Sequence, residues 1–447
     1  MLVGAGVVGS LAAGTPSGAA TISVPTTSPY YSLLAQAVQP SVGYGANVSG
    51  CVVQPKTSCP GAQLAGATLR EALFDYSDLD GADLSGATVA LASFSYASMA
   101  KADLSHTSLT GISLNYVYGP GLSLADSSLH LGSIAKADLS GADLHDLNAN
   151  FGAVVGTDLS HADLTGANLS DTDFNGDDLT GANLTGANLA NGDLTGSTLK
   201  GAVLRGATFC NTVMPDGKVR NPRKGVCPGQ VPAAQSGKPI PLPSSNVFYP
   251  AIHALLTGHQ VHAGTVVQGC RIEAYTECPG ARLRGADLQG AFLAYSKLDH
   301  ASLAGANFFL GSLAFGSAVD ANLKGIALGG TSAVGADLAG ASLERAQLPL
   351  ANLAGADLHR ASLAGADGQL SVLTGADLRG ADLSKANLSQ ASLAGANLTG
   401  ADLTGADLSE TTLLGATTTT ANLANATFCD TIMPDGSIEN PTLGSCP

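Results

Sequence analysis

The residues best suited to chemistry in this chain are its eight cysteines: Cys51, Cys59, Cys210 and Cys227, then Cys270, Cys278, Cys429 and Cys446. Thiolates held close together either bind zinc or oxidise to disulfides. The spacings within each set of four, eight residues for the first pair and seventeen for the last, lack the Cys-x2-Cys knuckle that supports a zinc assignment. The nine histidines are scattered, and the nearest group, His253, His259 and His262, suits surface or packing roles, so no metal site is expected. Gly4, Gly6 and Gly9 spell G-x-G-x-x-G, but a dinucleotide site needs a strand before that run and an acid about 20 residues after it. Only three residues precede it, and the first acid is Glu71. A G-x-S-x-G elbow and an H-E-x-x-H helix are both absent from the sequence. These residues argue for a protein that is not an enzyme and carries no cofactor.

The cysteines also report how the chain is built. Each of the second four lies 219 residues after its counterpart, and Thr208-Phe-Cys-Asn-Thr-Val-Met-Pro-Asp-Gly217 returns at the same offset as Thr427-Phe-Cys-Asp-Thr-Ile-Met-Pro-Asp-Gly436. The chain is therefore an internal duplication. Within each copy a shorter period runs. Leu64, Leu69, Phe74, Leu79 and so on to Phe209 occupy every fifth position, and the second copy keeps step from Leu283 to Phe428. Each series has 30 sites, with a small residue, usually Ala, two positions before each one. Gly119 and Ala149 in the first copy, and Ala318, Ala333, Gly368 and Thr418 in the second, lack a large apolar side chain. On an α-helix a period of five would turn each Leu by about 140° from the last and leave no apolar stripe. In extended chain, residues two apart share a face, so the small residue and the Leu point inward together. The odd fifth residue makes the path turn.

Tandem Ala-Asp/Asn-Leu-x-x, as in Ala82-Asp83-Leu84 and Ala182-Asn183-Leu184, resembles the pentapeptide-repeat family. The resemblance implies an all-β chain of two tandem right-handed quadrilateral β-helices, with four pentapeptides per coil and Leu and Ala inside. Thirty repeats then make about 7.5 coils, a rod about 36 Å long at the spacing of stacked strands. The first domain is placed at residues 21–228 with repeats at about 62–211, and the second at 247–447 with repeats at about 281–430. Residues 229–246 read as a Pro-rich, semi-extended linker. Gly119-Pro120-Gly121 and Gly368 break the motif without shifting its phase, so bulged or loosened corners are expected there.

A solenoid exposes core side chains and strand edges at both ends, and both need covers. The cysteines bracket those ends, which predicts four local disulfides: Cys51–Cys59, Cys210–Cys227, Cys270–Cys278 and Cys429–Cys446. Met-Pro-Asp-Gly between the exit cysteines is a turn signature and predicts a hairpin-like cap. Tyr30–Val38 and Phe248–Leu256 read as short amphipathic cap helices. Residues 1–20 contain an apolar run too short to span a membrane, ending in small residues that suit signal-peptide cleavage. With the cysteines, this predicts a secreted or cell-envelope protein with no transmembrane span.

The formal charge of −15 disfavours nucleic acid as a partner, since that binding runs on phosphate neutralisation. Much of the acid is Asp just before the central Leu, which reads as solubility built into the motif. The family resemblance also implies a rival use, mimicry of DNA to inhibit a type II topoisomerase. The sharpest candidate surface follows from the twenty-residue coil. Tyr76, Tyr96 and Tyr116 are spaced by one coil at the outward second position after the central site, and Tyr295 and Phe315 take the equivalent places in the second copy. Exposed aromatic strips suit protein or glycan ligands; the competing expectation is that a cap segment covers the strip. The sequence thus points to a scaffold binding a protein or glycan, with a passive structural spacer as the alternative.

Overall fold

The computed structural model describes residues 21–24, 42, 45–130, 132–150, 152–221, 240–243, 261 and 265–440, and every structural statement below concerns these. They contain strands, bridges and turns but no helix. The expected cap helices and the cysteines Cys227 and Cys446 lie outside them, as do His253, His259 and His262. The chain divides into two compact units, Met1–His253 and Ala254–Pro447.

In each unit the coil closes after twenty residues. Parallel bridges link Ser58 to Asp78, Asp78 to Ser98 and onward through Asp193 to Val213; in the second unit they run from Glu277–Lys297 to Thr412–Ile432. Each coil thus holds four pentapeptides. The backbone bonds repeat with the same period, as around Leu64. Its N–H donates to Asp83 of the next coil (2.6 Å), the Gly66 N–H donates to Ser85 (2.8 Å), and the Ala67 N–H donates back to the Leu64 carbonyl (3.0 Å). That last bond closes a β-turn whose third residue, Gly66, has φ +67°. This is the left-handed position of a type II turn, which explains why Gly recurs two residues after the central Leu.

The inward residues form one apolar core per unit. Leu64, Leu84, Leu104 and Leu124 are 1% exposed or less, and Ala82, Ala102 and Ala142, each two positions before a central Leu, are equally buried. The second unit repeats this with Leu283, Leu303, Leu323 and Leu343.

The expected loosening at Gly119-Pro120-Gly121 and Gly368 does not occur. Gly119 donates to Asp138 (2.8 Å), Gly121 to Ser140 (2.9 Å) and Gly368 to Asn387 (2.7 Å), so the ladder runs through unbroken. Pro120 takes the second turn position, whose N–H makes no coil-to-coil bond at the corner around Leu64, and proline is favoured there. Leucines from the next coil fill the missing volume: a Cβ on Gly119 would sit 3.2 Å from Leu139, and one on Gly368 would sit 3.1 Å from Leu388.

Antiparallel hairpins close the ends. At entry Asn47–Val48 pairs with Cys51–Val52, and Thr265–Val267 pairs with Cys270–Ile272. Disulfides Cys51–Cys59 and Cys270–Cys278 tie these hairpins to the first coil. At exit Thr212–Val213 pairs with Val219–Arg220, and Thr431–Ile432 with Ile438–Glu439, around the Met-Pro-Asp-Gly turns. The Arg220 guanidinium lies 3.9 Å from the centre of the Phe209 ring and covers the last core position. Cys210 and Cys429 are disulfide-bonded too; the partners expected for them, Cys227 and Cys446, are outside the described residues. Within the stretch expected as a linker, Ile240–Pro243 is a strand paired antiparallel with Thr21–Val24.

Candidate functional site: two aromatic ladders

The coil period brings the sequence-nominated aromatic residues together. Tyr76 and Tyr96 stack with ring centroids 4.8 Å apart and planes 7° off parallel, and Tyr96 and Tyr116 stack at 4.6 Å and 2°. In the second unit Tyr295 stacks on Phe315 at 5.4 Å. The spacing is that of adjacent strands, so the backbone sets the stack and the rings follow it. Sequence reading missed one member. Tyr275 stacks on Tyr295 at 5.0 Å and is 45% exposed. It precedes the first recognisable repeat, yet it lies one coil before Tyr295, and that interval was the available signal.

All six aromatics occupy the left-handed turn position, which in the rest of the chain is held by glycine or by mostly polar residues. Their φ values are 58° (Tyr76), 62° (Tyr96), 57° (Tyr116), 58° (Tyr275), 55° (Tyr295) and 54° (Phe315). A left-handed conformation costs a residue with a side chain about 1 kcal/mol or more. Ring stacking returns about 0.5 to 1.5 kcal/mol per pair, so the two pairs of each ladder offset only part of the cost of its three left-handed residues. Stacked face to face, the rings spend their flat sides on each other, and the hydroxyls of Tyr96 and Tyr116 bond to one another.

Beneath the first ladder runs a buried polar row that sequence reading placed outside. The Ser93 hydroxyl donates to Asp75 (2.5 Å), as does the Ser95 N–H (3.1 Å). Ser95 and Ser113 share a bond of 2.8 Å, Asn115 donates to Ser113 (2.7 Å), and Ser133 donates to Asn115 (2.9 Å). Asp75, Ser95 and Asn115 are fully buried. Partial burial raises the pKa of the Tyr76, Tyr96 and Tyr116 hydroxyls above the usual 10.0, and the Asp75 charge adds to the rise at Tyr76 and Tyr96. These hydroxyls remain protonated donors throughout the physiological range.

The acids before the central sites serve their own corners. Asp83 accepts from the Ser85 N–H (3.0 Å) and hydroxyl (2.7 Å), and Asp407 does the same with Ser409 (3.0 and 2.6 Å). Such Asx turns stabilise the bend locally, and these bonds hold the carboxyls of Asp83, Asp178 and Asp402 below the usual range.

The family model for pentapeptide repeats matches in eight copies, over residues 58–89, 137–176, 178–214, 278–309, 319–353, 351–390 and 386–423. The chain belongs to the pentapeptide-repeat family. Pentapeptide-repeat proteins fold as right-handed quadrilateral β-helices and are generally structural or interaction proteins rather than catalysts. Among solved structures, the chain is similar to HetL, a pentapeptide-repeat protein involved in heterocyst differentiation regulation in the cyanobacterium Nostoc. The identity is 25%, over 74% of this chain and 92% of that one, with a TM-score of 0.24. It is also similar to QnrB1, a plasmid-mediated fluoroquinolone resistance protein, at 20% identity over 38% of this chain and 87% of that one, with a TM-score of 0.33. A pentapeptide-repeat protein of the Arabidopsis thaliana thylakoid lumen matches at 29% identity over 22% of this chain and 63% of that one, with a TM-score of 0.13. No curated protein matches the chain. No helix among the described residues is long and apolar enough to cross a membrane.

Proposed function

We propose that this pentapeptide-repeat protein is an exported, non-enzymatic scaffold of two tandem β-helices, about 7.5 coils each, that holds a protein or glycan ligand along its aromatic ladders. One observation carries the reading: both copies place three aromatics in succession at turn positions that favour glycine. Positive φ at consecutive bulky residues is a local cost that folding does not require, and such costs gather at functional surfaces. The partly exposed rings and protonated hydroxyls offer apolar contact together with hydrogen bonds, which suits a polar, extended ligand. Export is supported by the cystine-closed ends and the leader-like residues 1–20.

The test uses the glycine that the repeat itself supplies. The full chain and the variants Tyr76→Gly/Tyr96→Gly/Tyr116→Gly and Tyr275→Gly/Tyr295→Gly/Phe315→Gly are screened against arrays of cell-surface glycans and extracellular proteins. The proposal expects a ligand retained by the full chain and weakened at least tenfold in each variant. A passive spacer is favoured by the face-to-face stacking, which uses up the ring surfaces; it expects no specific ligand and a fall in melting temperature in both variants. A topoisomerase inhibitor would depend on the acids of the motif, yet the structure uses many of them in corner bonds, and a supercoiling assay with the full chain is expected to show no inhibition.

A further inference from the structure

One face of the first unit carries a set of side chains that the ladders do not explain. Two residues after the central site, the relevant column reads Gly66, Gly86, His106, Asp126, Asp146, Gly166, Gly186 and Gly206. Three successive coils therefore replace glycine with metal-ligating residue types, at φ 56° (His106), 56° (Asp126) and 53° (Asp146). His145, beside Asp146, joins them. Its Nε2 lies 3.6 Å from the Asp126 carboxylate, and His106 Nδ1 approaches the same carboxylate from the preceding coil at 3.8 Å. Asp126, His145 and Asp146 can each present one ligand atom such that all three lie within 4.8 Å of one another.

We propose that Asp126, His145 and Asp146 form a binding site for a zinc-like divalent cation, with His106 in reach as a fourth ligand. Donors about 2.1 Å from a tetrahedral ion stand about 3.4 Å apart, so the observed separations need only small side-chain adjustments at an accessible surface. The orientation of His145 fits the role. Its Nδ1 is 2.7 Å from Asp143 Oδ1, and with the proton on Nδ1 that bond leaves the Nε2 lone pair facing Asp126. Metal-bound histidines are held by a carboxylate in this way. A set that mixes imidazole with carboxylate favours first-row transition ions over calcium or magnesium. The cation would also neutralise two carboxylates on adjacent coils.

The second unit supplies an internal control. His359 Nδ1 pairs with Asp357 at 2.7 Å, reproducing the His145–Asp143 pair. The residues that would correspond to Asp126 and Asp146 around it are Gly340 and Arg360. Among the described residues no group of three metal-ligating side chains forms around that pair.

The test is calorimetric titration of the tag-free full chain with Zn2+, repeated with Co2+ while the visible absorption of the bound ion is followed. The expected result is one equivalent bound at micromolar affinity or tighter, with cobalt bands typical of mixed nitrogen and oxygen ligation. Affinity should fall at least tenfold in Asp126→Gly and Asp146→Gly and stay unchanged in His359→Gln. The two glycine variants restore the residue that the column uses elsewhere, so they keep the fold. No binding by the full chain, or equal binding by Asp126→Gly and the full chain, would overturn the site.

Discussion

At the level of single residues, the structure departs from the motif where a polar group enters the core. Asp177 stands where the repeat usually places Ala, and it is fully buried. Its Oδ1 accepts the Thr157 N–H at 2.7 Å, as Ser77 does for Thr57 and Ser127 for Thr107, while its Oδ2 has no hydrogen-bond partner. Burial raises its pKa well above the ordinary 3.8, with the Thr157 bond opposing and the Asp173 charge reinforcing the shift. Because the folded state holds this proton more tightly than the unfolded chain, the associated stability is full below about pH 3.8 and is lost as pH rises through the raised value. Asp177→Asn keeps the acceptor for Thr157 and cannot ionise. Urea unfolding should find it close to the parent protein at pH 4 and more stable by about 1 to 3 kcal/mol at pH 8. A constant difference between the two pH values would count against this account. The burial of Asp177 was legible from its inward position two residues before Leu179, but alternation of inward and outward positions says nothing about which outward positions become covered. Asp75, Ser95 and Asn115 were read as outward for the same reason.

At the level of the coil, the period of five showed an extended chain that turns and buries every fifth side chain, while the family resemblance supplied the four-sided coil of twenty residues that the parallel bridges bear out. The same twenty-residue coil puts Tyr76, Tyr96 and Tyr116 in one column and Tyr295 and Phe315 in another. Sequence reading failed at Gly119 and Gly368, where a missing side chain was read as a weak corner. Backbone bonds run along the coil irrespective of the side chain, and Leu139 and Leu388 close the gaps. The core remains sensitive to truncation: Leu358→Ala, at a site with no exposure, should cost about 2 to 5 kcal/mol in chemical denaturation. Leu423, only partly buried in the last coil, should lose clearly less on the same change. Equal losses at the two sites would imply that the coils do not share one core.

For the whole molecule, the duplication gives two units with the same caps, the same core and aromatic ladders on matching faces. The entry disulfides each close a loop of eight residues, which corresponds to about 2.5 kcal/mol of stabilisation. Cys51→Ser/Cys59→Ser should therefore lower the stability of the first unit by about that amount, read as an earlier transition in thermal unfolding. Two ligand-binding faces on one chain would also strengthen attachment to any ligand that engages both. The most direct measurement of the central claim compares the full chain with a variant in which Tyr76, Tyr96, Tyr116, Tyr275, Tyr295 and Phe315 are all changed to Gly. It records the dissociation constant for a cell-surface ligand and the melting temperature on the same samples. The account expects binding to be lost while the melting temperature moves by only a few degrees, because relief of six left-handed backbones offsets the lost stacking. Retained binding, or a large drop in melting temperature, would show the ladders to be packing elements and contradict it.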